Sequence, residues 1–241
     1  MREKLLARER ECFDFLNAIL QKTKYVLVGG YAVSSFGFPR FSVDLDIVMP
    51  DSELKFFEGL LRKRDFILVS ERKGLDEVYS GEFRSYGKKT EMPVSVDLLI
   101  NSIKSRQTGA SYAFQYLLKN SEIQTVRGWH PDSKADVRVA DREMLIALKI
   151  NSMRLTDMRD VIMLCYGKHD TEKIIEHLKR CPQEIIKKHL QEMAALIDDP
   201  KYVDSIKGEF SITDKVFQAA ARNAKKTVTG IQAGMEKKMA N

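Results

Sequence analysis

Apolar positions along the first 140 residues alternate between a helical and a strand-like period. Leu5, Leu6, Phe13, Leu16, Ile19 and Leu20 recur at helical spacing over residues 3–21, which predicts an amphipathic opening helix. Tyr25 to Val28 is a continuous apolar run closed by Gly29-Gly30, the pattern of a buried strand entering a tight turn, with a helix expected from Tyr31 to about Phe36. Val43 to Val48 then reads V-D-L-D-I-V. Side chains two apart on a strand share a face, so Asp44 and Asp46 point the same way. Pro50 ends that strand, a helix is expected over Glu53–Arg64, and a strand over Phe66–Val69. Residues 74–91 show no clear period and read as charged hairpin or loop. Val94–Ile100, V-S-V-D-L-L-I, is again an apolar strand, with Asp97 its single charge.

Beyond Ile100 the pattern predicts a helix at Tyr112–Leu118 and strands at 122–127 and 136–139 around the turn-rich segment Trp129–Lys134. From Asp141, a helix cap, Met144, Leu145, Leu148, Ile150 and Met153 begin a helical period that continues as four or five helices without strand signals. The expected fold class is α+β. A mixed β-sheet with flanking helices forms residues 1–135, and an all-helical C-terminal domain forms residues 136–241, the boundary lying within 128–141.

Composition narrows the function classes. Hydrophobic residues at 44% and charged residues at 31% describe a self-sufficient globular chain rather than a disordered one. No stretch approaches the roughly 20 apolar residues of a membrane span, and the charged N-terminus lacks the apolar core of a signal peptide. Cys12, Cys165 and Cys181 have neither the pairing of a disulfide framework nor the spacing of a zinc site, so a reducing cytoplasm is the expected setting. A net charge of +6 favours a polyanionic partner.

The candidate chemistry lies in the carboxylates. Moving a nucleoside monophosphate from an NTP to an acceptor concentrates negative charge on the triphosphate, which calls for a divalent cation such as Mg²⁺ or Mn²⁺. Hard cations take carboxylate oxygens, and a two-ion arrangement spans about 3.5–4 Å. Asp44 and Asp46 on one strand face, with Asp97 from a neighbouring strand, meet that requirement as catalytic and metal-binding residues. Asp97 is placed on the side of the attacking hydroxyl. Gly29 and Gly30 would let backbone N–H groups approach the phosphates where a side chain would block them.

The segment VLVGGYAVSSFGFPRFSVDLDIVM followed by VSVDLLI resembles the nucleotidyltransferase superfamily that includes kanamycin nucleotidyltransferase, polymerase beta and the CCA-adding enzymes. There a Gly-Gly or Gly-Ser turn precedes an Asp-x-Asp strand by about a dozen residues. Arg40, Ser42, Asp44 and Asp46 are similar to the R-x-[ST]-x-D-[IL]-D string of AbiEii-like and minimal nucleotidyltransferases. Lys149, Arg154, Asp157 and Asp160 resemble the K…R…KD-x-x-D string of AbiEii-type toxins, with Thr156 in place of its second lysine and Val28 where those toxins carry a lysine.

The resemblance implies an NTP substrate, a hydroxyl acceptor, and Arg40 and Lys149 as nucleotide-binding residues beside Gly29 and Gly30, with Arg40 equally a candidate for bracing Asp44 and Asp46. The candidate acceptors are then an RNA or tRNA 3′ end, favoured by the basic charge, a protein side chain and a small molecule. Lys149 and Arg154 are equally a solvated basic face, and Asp157 and Asp160 equally local partners of Arg154 or Arg159. Ser34 and Ser35 are expected to serve backbone carbonyls rather than phosphate. The four histidines lack ligand spacing, and residues 215–241 read as a basic, weakly amphipathic helix, either a solvated face or frayed tail, which is favoured, or a contact for RNA phosphates. Two other readings of the whole remain: a nucleotide- or partner-binding module without turnover, including a toxin–antitoxin component, and a metal-dependent phosphodiesterase.

Overall fold

The computed structural model describes residues 2–20 and 22–239, with side chains described to residue 236. The chain forms two compact units, Met1–Lys104 with Ser111–Asp141, and Ser105–Ala110 with Arg142–Asn241.

The first unit is built on a mixed sheet. Helix α1 (Arg2–Ile19) buries Cys12, Phe13, Phe15, Leu16 and Ile19. It leads to β1 (Val26–Val28), which passes directly into the short α2 (Gly29–Ser34). Strand β2 (Asp44–Met49) returns antiparallel to β1, and a 3₁₀ turn at Asp51–Glu53 opens α3 (Leu54–Arg62). The hairpin β3 (Ile67–Asp76) and β4 (Gly81–Lys88) feeds β5 (Val94–Ile100), which lies parallel to β2. A small ribbon, β6 (Ser102–Lys104) with β7 (Ser111–Ala113), precedes α4 (Phe114–Lys119), and β8 (Ser121–Arg127) with β9 (Lys134–Ala140) completes the unit. The seven strands run in the order β3-β4-β5-β2-β1-β9-β8, so β2 and β1 are central.

The α+β fold class expected from the periodicities is the one observed. Strand β9 pairs with β1 inside the first unit, which therefore extends to Asp141, six residues past position 135. Residues 74–91 are more regular than their pattern predicts. They complete β3 and form β4; β3 is the outer strand of the sheet, which leaves Ile67, Leu68 and Val69 exposed and so erases its alternation. Arg84 holds this hairpin to α3 and across itself, at 2.5 Å from Glu58 and 2.8 Å from Glu71. A buried carboxylate that no period announces, Glu9 on α1, accepts the backbone N–H groups of Trp129 and His130 at 2.7 and 2.9 Å and fixes the turn between β8 and β9.

The second unit contains six helices among the described residues: α5 (Arg142–Ser152), α6 (Leu155–Leu164), α7 (Thr171–Leu178), α8 (Gln183–Leu196), α9 (Pro200–Phe210) and α10 (Asp214–Met239). The extra helix relative to the expected four or five follows from Asp199-Pro200. Asp199 caps α9 by accepting from the N–H groups of Lys201 and Tyr202, and so divides α8 from α9. Helix α10 keeps the expected solvated face, with Lys225 and Lys226 exposed, but its other face is buried. Phe217, Ala220, Ala224, Val228 and Ile231 form a stripe buried in the unit's core, while the tail lysines Lys237 and Lys238 lie outside the described side chains. Segment 105–110 is stitched to α5 through Ser105 and Thr108, which bond the Asn151 carbonyl and side chain. No described helix is long and apolar enough to cross a membrane.

Candidate active site

The site lies where β1, β2 and β5 run side by side. Along β5 the even-numbered residues, Val94, Val96, Leu98 and Ile100, are buried, and Asp97 stands on the opposite, half-buried face. Along β2, Leu45, Ile47 and Met49 are buried while Asp44 and Asp46 share the other face. Parallel pairing puts Asp46 directly opposite Asp97 and Asp44 opposite Ser95. The alternation of two strands in register thus gathers three aspartates that lie far apart in sequence. One carboxylate oxygen from each falls within 4.8 Å of the other two. Two oxygens on opposite sides of one Mg²⁺ are about 4.2 Å apart, twice the usual bond, so this spacing suits one bridged ion after slight closure, or two ions.

The surroundings hold the carboxylates in place. Ser85 on β4 donates to Asp97 at 2.6 Å, and Ser42 donates to Asp44 at 3.2 Å. Burial raises the Asp97 pKa above the ordinary carboxylate value; the Ser85 hydrogen bond opposes this and the nearby Asp44 charge adds to it. Three half-buried carboxylates facing one another are costly unless a cation joins them, which makes this cluster a candidate metal site.

Gly29 sits against this cluster. Its φ of +72° is the left-handed region, and a Cβ at this position would run into the Asp46 carboxylate. Strand β1 pairs Val28 with Asp46, which brings the turn to the carboxylates. Gly30 is packed as closely: a Cβ there would lie 2.6 Å from the Ser42 hydroxyl and 2.9 Å from the Arg40 guanidinium. Gly29 is therefore required by both its backbone and its surroundings, a side chain at Gly30 would displace Ser42 and Arg40, and both glycines place backbone beside the site. Gly29→Ala is expected to cost about 1–2 kcal/mol from the left-handed backbone alone. By displacing Asp46 it should also lower divalent-ion affinity on the order of 100-fold, read by calorimetric titration with Mn²⁺.

Arg40 joins the site, with Nη1 donating to the Phe41 carbonyl at 3.2 Å and Nη2 against Gly30. Ser34 and Ser35 serve the backbone carbonyls of Gly30 and Ala32, as expected. Lys149 belongs to the second unit, in α5. Its buried ammonium is 2.9 Å from Asp157 and 2.8 Å from Asp160, both buried on α6. Arg154 also grips Asp157 through Nε at 2.8 Å and through its backbone N–H at 3.1 Å. The pairing of these aspartates that the sequence left open is thus settled in favour of Lys149 as well as Arg154. Ser85 and Ser42 were the neighbours that sequence reading missed as carboxylate partners. Ser85 lies in the hairpin whose register the pattern did not reveal.

No protein-family model and no curated protein matches the sequence. Among solved structures, the crystal structure of JHP933 from Helicobacter pylori superposes with a TM-score of 0.50 at 16% identity, covering 99% of this chain and 97% of that one. A second H. pylori structure, provisionally described as a nucleotidyltransferase, gives 0.48 at 16% identity, covering 98% and 97%. At such identities the likeness concerns the fold. A mixed sheet with flanking helices, a glycine turn after a central strand and a helical C-terminal half agree with the expected α+β fold class, and the chain shares this fold with the JHP933 structure.

Proposed function

We propose that this protein is a metal-dependent nucleotidyltransferase that moves an NMP group from an NTP to a hydroxyl acceptor. The observation that carries this reading is the convergence of Asp44, Asp46 and Asp97 within 4.8 Å beside a sterically obligatory Gly29. In the reaction the acceptor oxygen forms a bond to the α-phosphorus as the bond to the pyrophosphate oxygen breaks, and the acceptor proton departs to a base. Bound Mg²⁺ or Mn²⁺ would neutralise charge on the triphosphate and lower the acceptor's pKa. Asp44 and Asp46 would hold the cation against the phosphates. Asp97 would complete the ligand set and, on the side of the attacking hydroxyl, accept the acceptor proton. Backbone N–H groups at Gly29-Gly30 and the Arg40 guanidinium would orient the phosphate oxygens.

Lys149 is left out of this site, because its ammonium is committed to two buried carboxylates. An RNA 3′ end is the acceptor class that a net charge of +6 supports. The test is incubation with Mg²⁺, each α-labelled NTP and total RNA. Pyrophosphate release with label retained on an acceptor is the expected outcome. Free NMP without adduct would instead indicate hydrolysis, and NTP binding without turnover a binding module.

Asp97 provides a second, independent check. A carboxylate with a raised folded-state pKa binds more protons than in the unfolded chain, so stability falls as pH rises from the ordinary carboxylate pKa through the raised one. Asp97→Asn removes that loss. In chelator it is expected to melt higher than the parent protein at neutral pH and no higher at acidic pH. Added Mg²⁺ should raise the melting temperature of the parent only. Equal melting of the two proteins at all pH values would contradict the role given to Asp97.

A further inference from the structure

A second site stands at the other end of β1. Tyr25 precedes that strand and lies four residues from Gly29, about 13 Å along an extended chain. Here a cavity of about 350 Å³ opens within the first unit, lined by Thr23, Lys24, Tyr25, Leu118, Ile123 and Arg138. Its volume is at the lower end of the range of ligand pockets, roughly 300–1,000 Å³.

Three observations give it a chemical character. Lys24 and Arg138 bring two positive charges, no carboxylate lines the cavity, and among the described residues neither cation is in an ion pair. Arg138 reaches only the Ser121 carbonyl and hydroxyl, at 3.4 and 3.3 Å, long for hydrogen bonds. The Tyr25 hydroxyl is buried and meets no partner at hydrogen-bonding geometry, although the Arg138 backbone runs beside it. Burial pushes this phenol up to about 12, so it is a neutral donor at physiological pH. Buried polar groups are nearly always paired, and this unpaired hydroxyl belongs to a side chain that lines the cavity. Thr23 is already occupied, its hydroxyl bonding Glu53, which does not line the cavity. Leu118 and Ile123 supply an apolar wall.

We propose that this cavity binds a phosphate group carried on a small organic body. Lys24 and Arg138 take the charge, the Tyr25 hydroxyl donates to a phosphate oxygen, and Leu118 and Ile123 cover the apolar portion. The phosphate belongs to a free nucleotide or to a nucleic-acid strand, two sources of one chemistry. The proposal does not depend on the aspartate site.

The test follows backbone amide shifts of the full chain, in chelator and at constant ionic strength, during titration with inorganic phosphate, AMP and a short single-stranded RNA. Saturable shifts are expected around Thr23–Tyr25, Leu118, Ile123 and Arg138. The double variant Lys24→Gln/Arg138→Gln should weaken binding at least about tenfold, as charge-assisted bonds are lost, without altering Mn²⁺ binding at the aspartates. Tyr25→Phe should weaken binding several-fold without lowering the melting temperature, because the hydroxyl has no partner to lose. AMP binding more tightly than RNA identifies a free nucleotide; RNA binding more tightly, with a steep salt dependence, identifies a strand. Shifts that stay linear in all three probes, or persist unchanged in the double variant, would overturn the proposal. A fall in melting temperature for Tyr25→Phe would overturn the part given to its hydroxyl.

Discussion

Lys149→Met is expected to destabilise the second unit by about 3–5 kcal/mol, the cost of leaving buried carboxylates without their counter-ion. At about 4–8 °C per kcal/mol for a unit of roughly 100 residues, the melting temperature should fall by well over 10 °C. The reason is geometric. Lys149 bridges Asp157 and Asp160 at 2.9 and 2.8 Å, and all three side chains are almost fully buried. Burial alone would lower the Lys149 pKa, but the two aspartates reverse this and raise it. Burial alone would raise Asp157, but Lys149, Arg154 and Ser152 outweigh it and hold that carboxyl well below its ordinary range.

The pH dependence follows from these directions. The depressed Asp157 contributes stability above the ordinary carboxylate pKa, and the contribution is lost as pH falls through the depressed value. The raised Lys149 contributes stability that is lost only as pH rises through its own elevated pKa. Stability from this cluster should therefore be flat through neutrality and fall in acid. Denaturant unfolding of the parent and of Lys149→Met between acid and neutral pH measures both effects. A variant as stable as the parent at neutral pH would show that the cluster does not hold the helices together.

Asp46→Asn is expected to abolish label transfer, by on the order of 10³-fold, the scale of removing a preorganised electrostatic stabiliser from a water-poor site. Unlike Gly29→Ala it leaves the backbone unstrained, so the melting temperature in chelator should not fall. The loss should appear with every NTP and acceptor, because Asp46 stands between the Gly29 turn and Asp97 rather than at a base or acceptor subsite. Single-turnover rates with saturating Mg²⁺ separate this from weakened nucleotide binding. Near-parental turnover in the variant would remove Asp46 from the catalytic machinery.

The sequence made the aspartate site legible because strand periodicity converts directly into a shared face. V-D-L-D-I-V and V-S-V-D-L-L-I each expose their carboxylates opposite an apolar set, and placing the strands side by side in parallel completes the cluster. Gly29-Gly30 was legible for a similar reason, since Gly29 combines a left-handed backbone with close approach to Asp46, and Gly30 packs as closely on Ser42. Local patterns do not carry partners contributed by distant elements. Ser85 meets Asp97 only through the register of a hairpin whose outer strand lost its alternation by facing solvent. Lys149 looks the same in sequence whether it faces solvent, phosphate or buried aspartates, and only the packing of α5 on α6 decides among them. The cavity beside Tyr25 joins residues separated by more than a hundred positions, which no spacing rule would unite.

The central claim is that Asp44, Asp46 and Asp97 hold the cation that carries the triphosphate. A crystal soaked with Mn²⁺ and a non-hydrolysable NTP tests it most directly. The account predicts anomalous density about 2.1 Å from oxygens of all three aspartates, with the triphosphate against Gly29-Gly30 and Arg40. Bound nucleotide elsewhere, or a saturating Mn²⁺ soak without anomalous density at these carboxylates, would contradict it.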